Sequence, residues 1–255
     1  MKPTMTSGDD KQPDGPLFAP QPADDLSSHL LRQALGCLGF FLPVLVYLVA
    51  RWRPVGGPPG LSPLDSISEY YYSGAVAVLV GALWAMAAFL FTYRGFGDRP
   101  PQWDRIIGKV ASIAALNVSL FPTTALDPFM APPWWSGWME SVHLASAALL
   151  FLCFVVYSVF LFPKSSRPRE SQDREKRRRN AIYYLCGVGI VLALLWIVIA
   201  RVVGGHIFVP ESLALMLFGI SWLTKGRAIW TVEQLAHRIA RRRSDAPSFK
   251  PSPGG

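Results

Sequence analysis

Polar side chains able to bind or activate a ligand collect in a few short stretches, each next to an apolar segment. The set is Ser66, Ser68, Tyr70, Tyr71, Asp127, Glu140, His143, His206 and Glu211. Imidazoles and carboxylates move protons, bind metals and hold polar headgroups. These residue types predict a ligand-binding cluster, provided that the chain brings the stretches to one side of a membrane.

One spacing within this set has a local meaning. Glu140 and His143 are three residues apart in a segment expected to be helical. Side chains at that spacing share a helix face, so the carboxylate could orient or charge the imidazole. His206 and Glu211, with Arg201 just before them, could add a second imidazole and a guanidinium to the same pocket. Because ionisable groups are common where a membrane meets water, each of these residues also has a simpler, solvated interpretation.

The sequence contains few patterns that are typical of a catalytic site. A zinc hydrolase needs about three protein ligands, and His29 and His237 are expected on the opposite side from His143 and His206. Such a site would therefore require Asp127, Glu140 or Glu211 as an additional ligand. No serine lies in a Gly-x-Ser-x-Gly turn, and no Gly-rich phosphate-binding motif occurs. We therefore assign neither a metal nor a cofactor, and we favour a protein that is not an enzyme.

The resulting functional hypothesis is a multi-pass membrane protein that binds or senses a lipid or small ligand at the polar cluster. Two alternatives use the same residues. One is a membrane-embedded hydrolase that acts on lipid headgroups, and the other is a small-solute transporter.

The elements that must position these residues are long apolar segments. Hydrophobic residues make up 51% of the chain and charged residues only 16%, and the charges are concentrated between the apolar segments. A helix needs about 20 apolar residues to cross a membrane, whereas a barrel shows alternating segments of about ten. The sequence thus predicts an all-α transmembrane bundle of about six helices. The expected spans are residues 34–50, 73–93, 106–121, 141–162, 181–200 and 207–223.

The distribution of positive charge predicts the orientation of the bundle. Of the 25 Lys and Arg residues, all but Arg51, Arg53 and Arg201 fall on one side of the six spans. Cytoplasmic loops carry such an excess, so both termini are expected in the cytoplasm of a cell with an inner membrane. The net charge of +8 then indicates contact with anionic lipids at the cytoplasmic face, and no nucleic-acid partner.

Two terminal segments are expected to flank the membrane domain of residues 31–226. Residues 1–30 are rich in Pro and Asp, which predicts a disordered tail. Residues 227–255 combine apolar residues with arginines, which predicts a basic amphipathic helix and tail at the membrane surface. Small residues on several spans suit close helix packing within one chain or between chains, so a homo-oligomer remains open.

Several short motifs in the membrane domain resemble those of a bacterial group of six-span integral membrane proteins of the domain-of-unknown-function type. The motifs are residues 66–72 (SISEYYY), 80–83 (VGAL), 93–95 (YRG), 120–123 (LFPT), His143 and 218–222 (FGISW). The likeness covers residues 33–227, and more distantly the chain looks like the six-span DRAM-type autophagy modulators. The resemblance implies six spans with signature residues on the outer face. The matching positions are Ser66, Ser68, Tyr70, Tyr71, Pro122 and His143.

Overall fold

Each of the six predicted apolar segments lies in one α-helix. The structure is a computed structural model that describes residues 22–53, 63–93, 102–125, 131–163 and 174–226. The helices are α1 (Pro22–Trp52), α2 (Val76–Thr92), α3 (Trp103–Leu120), α4 (Gly137–Val156), α5 (Arg174–Val203) and α6 (Phe208–Lys225). The described residues contain no β-strand, so the all-α class is confirmed for this part of the chain.

Two short irregular helices interrupt this pattern. A 3₁₀ turn, Ser68–Tyr72, precedes α2, and a π-helical turn, Tyr157–Leu161, extends α4. Helix α5 ends where Gly204 adopts a positive φ of 72° and Gly205 donates its N–H to the Ala200 carbonyl at 2.7 Å. Glycine terminates helices in this way because it lacks the Cβ that disfavours left-handed backbone.

The predicted terminal segments are only partly within the described residues. Residues 22–30, which we expected to be disordered, form the first turns of α1. The proline at the first helical position has a φ already suited to a helix, and it lacks an N–H that would go unpaired there. Residues 1–21 and the predicted amphipathic helix of residues 227–255 lie outside the described residues.

Three helices are long and apolar enough to cross a membrane: His29–Trp52, Gly137–Leu161 and Lys176–Val203. Only 28% of the last of these is buried inside the protein. Its exposed face carries large apolar side chains, among them Leu185, Leu192 and Ile199. A continuous apolar surface of this kind requires an apolar environment, so the chain is a membrane protein.

The helices pack as a closed ring, in which each helix contacts the next in chain order and α6 returns to α1. Side chains fill the centre of this ring of helices. There the phenyl groups of Phe154 and Phe218 stack with their centroids 3.5 Å apart. The α1–α6 contact depends on glycine. A Cβ on Gly219 would lie 2.6 Å from the Gly36 carbonyl oxygen and from the Phe40 nitrogen. Helix backbones approach this closely only where small residues face each other.

Candidate functional site

Backbone hydrogen bonds connect the segment that precedes α2 to the start of α6. The carbonyl of Asp65 accepts N–H groups from Ile207 at 2.8 Å and from Phe208 at 2.7 Å. The Asp65 carboxylate also pairs with the His206 imidazole. Both side chains are well exposed, 48% for Asp65 and 77% for His206, so solvent weakens this ion pair. The two backbone hydrogen bonds therefore hold the segment against α6 more strongly than this ion pair does.

Glu211 makes the second connection between α6 and this segment. Its Oε2 accepts the backbone N–H of Ile67 at 2.7 Å, across 144 residues of sequence. Ile67 precedes the 3₁₀ turn and has no helical partner for its N–H. The Glu211 carboxylate thus satisfies a backbone donor that would otherwise be left unpaired.

His143 of α4 makes the connection on the opposite side of the segment. The imidazole is only 3% exposed. Its Nδ1 lies 2.7 Å from the Phe121 carbonyl oxygen, and its Nε2 lies 2.8 Å from Ser68 Oγ. A carbonyl oxygen can only accept, so a neutral His143 carries its proton on Nδ1 and accepts the Ser68 hydroxyl proton at Nε2. The imidazole is therefore oriented by the backbone and aligned as an acceptor for a hydroxyl.

Glu140 does not orient His143, although the two share a helix face. Its Oε2 accepts the Thr124 hydroxyl proton at 2.5 Å, whereas both nitrogens of His143 are occupied by Phe121 and Ser68. The predicted carboxylate–imidazole pair is thus replaced by two separate connections from α4 to the chain that follows α3.

The 3₁₀ turn itself contains a partly buried carboxyl and a buried tyrosine. Glu69 accepts the Asp65 N–H at 2.9 Å, and its own N–H bonds to Ser66 Oγ at 3.2 Å. Burial is the main cause that raises the pKa of Glu69 above its usual value. The hydrogen bond from the Asp65 N–H opposes this rise in pKa, and the negative charge of the Asp65 carboxylate adds to it. Burial likewise raises the pKa of Tyr70, whose hydroxyl accepts the Leu64 N–H at 3.4 Å.

A hydrogen bond from Tyr72 connects the end of this turn to the chain just after α3. Its hydroxyl donates to the Thr123 carbonyl at 2.5 Å. Burial, helped by the neighbouring Tyr71 and Glu140, raises the pKa of Tyr72 to about 12. The hydroxyl therefore stays protonated at neutral pH and keeps its role as a donor.

A small cavity lies beside the Ser68–His143 pair. Four polar residues, Ser68, Tyr71, Ser119 and His143, line part of the cavity, and apolar residues of α2 and α3 together with Pro122 line the larger part. The volume of the cavity is about 10 Å³. A space of this size accommodates one water molecule or one small substituent.

The structure thus gathers most of the predicted site residues around residues 63–75, and we call this set the polar cluster. Its members are Ser66, Ser68, Tyr70, Tyr71, Glu140, His143, His206 and Glu211, with Asp65, Glu69, Thr123 and Thr124. Asp127 lies outside the described residues. No three His, Cys, Asp or Glu side chains among the described residues converge as metal ligands.

Sequence reasoning missed the pairing of Ser68 with His143 and the role of the Phe121 carbonyl. Ser68 and His143 are 75 residues apart, and no local spacing relates them. The closest signal was the family resemblance, whose matching positions included both Ser68 and His143 without joining them.

Comparison of the chain with protein-family models, with curated proteins and with solved structures finds no match.

Proposed function

We propose that the chain crosses the inner membrane six times, with both termini and the basic loops in the cytoplasm. Three helices satisfy the length and apolarity that a span needs, and α2 is a shorter apolar helix. Helices α3 and α6, with 18 residues each, complete the ring that these four form. A helix of that length rises about 27 Å, close to the hydrocarbon thickness of a bilayer. The uneven distribution of Lys and Arg supports the orientation.

In this arrangement the polar cluster faces the outside, and we propose that it binds the polar end of a lipid or small ligand. The observation that carries the proposal is the buried His143, whose Nε2 accepts the exchangeable hydroxyl proton of Ser68 next to a small cavity. A hydroxyl group of a ligand can replace the Ser68 hydroxyl as the donor to Nε2 without leaving the imidazole unpaired. The cavity accepts one substituent of that size.

Binding of this kind would also be sensed by the protein. Ser68 belongs to the segment whose backbone is fastened to α6 through Asp65 and Ile67. Displacement of the Ser68 hydroxyl would therefore be transmitted to the start of α6 as a shift of that segment. A ligand changes the conformation only by the difference in its affinity for the two arrangements.

Bound-lipid mass spectrometry on protein purified in mild detergent tests the proposal. We expect the wild-type protein to retain a defined lipid or small molecule, and His143→Ala to lose it. Ser141→Ala is a matched control, because Ser141 lies on the same helix and is exposed. Equal retention by wild-type and His143→Ala proteins would rule out the polar cluster as the site.

A second candidate function is ester hydrolysis, and the Ser68–His143 hydrogen bond of 2.8 Å favours it. A serine aligned with an imidazole that a third group orients is the arrangement of an activated nucleophile. Ser68 Oγ would attack the ester carbonyl while its proton passes to His143 Nε2. The imidazolium would then protonate the leaving alcohol, and water would hydrolyse the acyl–Ser68 ester in the second step.

A fluorophosphonate reagent distinguishes this candidate from binding alone. A reactive serine attacks the phosphorus and releases fluoride, which leaves a stable adduct on Oγ. We expect hydrolase activity to be accompanied by labelling of Ser68, absent from Ser68→Ala and from His143→Ala but present in Ser141→Ala. Binding of a ligand without any labelled serine would leave the non-catalytic function as the only one supported.

Solute transport has less support. The stacked rings of Phe154 and Phe218 occupy the centre of the described part of the ring. A solute path between the two ends would require these buried side chains to separate, at the cost of their packing.

A further inference from the structure

Three polar groups that line the small cavity beside His143 can act towards a ligand only as hydrogen-bond acceptors. The Ser119 hydroxyl donates its proton to the Leu116 carbonyl at 2.8 Å. The Ser68 hydroxyl donates its proton to His143 Nε2, and this nitrogen carries no proton because Nδ1 donates to the Phe121 carbonyl. Each group can therefore receive a hydrogen bond from a ligand but has no proton to give.

The rest of the lining carries no formal charge. Tyr71 is the fourth polar residue, and its phenolic hydroxyl can donate or accept. Apolar side chains line the larger part of the cavity, and none of the described residues around it is an acid, a lysine or an arginine. A charged group that entered would lose its hydration without gaining a counter-ion, at a high cost in free energy. The cavity therefore favours an uncharged group that can donate a hydrogen bond.

These properties distinguish between the common headgroup chemistries. The oxygens of a phosphate diester only accept at neutral pH, so they would leave the acceptors of the cavity unpaired. An ammonium can donate, but it brings a charge that no described residue of the lining balances. A hydroxyl donates one proton, can accept another, and fits a volume of about 10 Å³. Of these groups, only the hydroxyl is compatible with the lining.

The cavity holds one small group, so the rest of a ligand stays outside, next to a cluster of tryptophans. The Trp135 indole N–H donates to the carbonyl of Pro122, a lining residue, at 3.2 Å. Trp138 packs on Phe121 with ring centroids 5.4 Å apart, and both Trp134 and Trp138 are exposed. Exposed tryptophans are typical of the headgroup level of a membrane. This position favours a lipid as the source of the hydroxyl.

We propose that the ligand of the polar cluster is a lipid whose headgroup presents an uncharged hydroxyl, and that this hydroxyl enters the small cavity as a hydrogen-bond donor. Diacylglycerol is the simplest lipid of this class, and glycerol offers the same group without acyl chains. The inference rests on the binding function proposed above for the polar cluster, and it adds the chemical class of the ligand.

Native mass spectrometry of the full chain in nanodiscs tests the role of the donor. The discs contain phosphatidylcholine with equal amounts of diacylglycerol and of its deoxy analogue, in which a methyl group replaces the hydroxyl. The methyl group is close in size but cannot donate, and it leaves the acceptors of the cavity unpaired. We expect the wild type to retain about fivefold more diacylglycerol than analogue, or a still larger excess. Equal retention of the two lipids would overturn the proposal.

A serine variant of α3 places the hydroxyl in the cavity. Ser119→Ala removes one acceptor from the lining and leaves the Ser68–His143 hydrogen bond in place, so we expect the preference for diacylglycerol to fall severalfold. Ser112→Ala is the matched control, because Ser112 is another buried serine of α3 and does not line the cavity. The same fall in both variants would count against the cavity. Where Ser119→Ala fails to fold, the comparison of the two lipids on the wild type still decides.

Phosphatidic acid and glycerol separate this inference from the proposed function. A preference for phosphatidic acid that is lost in His143→Ala would overturn the hydroxyl class and leave the binding function standing. Retention of diacylglycerol that is unchanged in His143→Ala would contradict both. Thermal stabilisation by millimolar glycerol, absent from Ser119→Ala and without retention of diacylglycerol, would support the hydroxyl and assign it to a soluble alcohol. Binding of neither probe would overturn the proposal.

Discussion

At the scale of single residues, this protein uses carboxylates and an imidazole to hold a short connecting segment in place. Glu211 satisfies the Ile67 N–H, and His143 accepts the Ser68 hydroxyl. These groups come from different helices, so each bond joins distant parts of the chain. The residues of the polar cluster therefore determine how its segment is held.

The Glu211 bond makes a prediction about stability. Glu211→Ala leaves the N–H of the buried Ile67 without its acceptor, which costs about 1–3 kcal/mol. Glu211→Gln keeps a carbonyl acceptor and is expected to lie closer to the wild type. Unfolding in detergent, followed by circular dichroism, measures both. Equal stability of the alanine variant and the wild type would contradict the role of this bond.

Glu69 makes a prediction about pH. Burial raises its pKa above the usual 4.5, so the folded protein binds this proton more tightly than the unfolded chain. Its contribution to stability is fully present below pH 4.5 and is lost as the pH rises through the folded pKa.

Glu69→Gln removes this ionisation and keeps an acceptor for the Asp65 N–H. We therefore expect its melting temperature to fall less than that of the wild type as the pH increases from 4.5. A series of melting curves in detergent over that range gives the comparison. Parallel curves for the two proteins would show that Glu69 does not carry the effect.

At the scale of helices, the ring closes where α6 meets α1 at a pair of glycines. Gly36 and Gly219 allow the two backbones to touch, because neither residue carries a Cβ. This contact joins the last helix of the ring to the first.

Gly219→Ala is expected to destabilise the protein. Its new Cβ would meet backbone atoms of α1 at 2.6 Å, and overpacking of this kind costs about 1–3 kcal/mol. Gly81→Ala is the matched control, because a Cβ at Gly81 meets nothing within 4 Å. Alanine in a helix interior is favoured over glycine by about 0.5–1 kcal/mol. The two variants should thus shift the melting temperature in opposite directions, and a shift of the same sign would refute the proposed contact.

At the scale of the whole molecule, the orientation of the bundle decides which solution the polar cluster meets. The proposed topology exposes the polar cluster to the periplasm. It follows from the positive charge of the connecting segments, which belongs to the sequence and not to helix packing.

Reporter fusions measure this orientation directly. An alkaline phosphatase fused within residues 54–62 is expected to be active, and one fused within residues 164–173 inactive. A fluorescent protein that folds only in the cytoplasm should give the reverse result. Phosphatase activity at residues 164–173 would overturn the orientation and place the polar cluster on the cytoplasmic side.

Within the described residues, the sequence by itself determined the type and approximate position of the six α-helices, because an apolar segment in a membrane satisfies its backbone hydrogen bonds by becoming helical. It also identified Ser68, His143 and Glu211 as residues of interest, since polar groups next to apolar segments are conspicuous. Tertiary structure alone decided their partners. Ser68 meets His143, and Glu211 meets Ile67, across 75 and 144 residues, and no periodicity encodes contacts of that range.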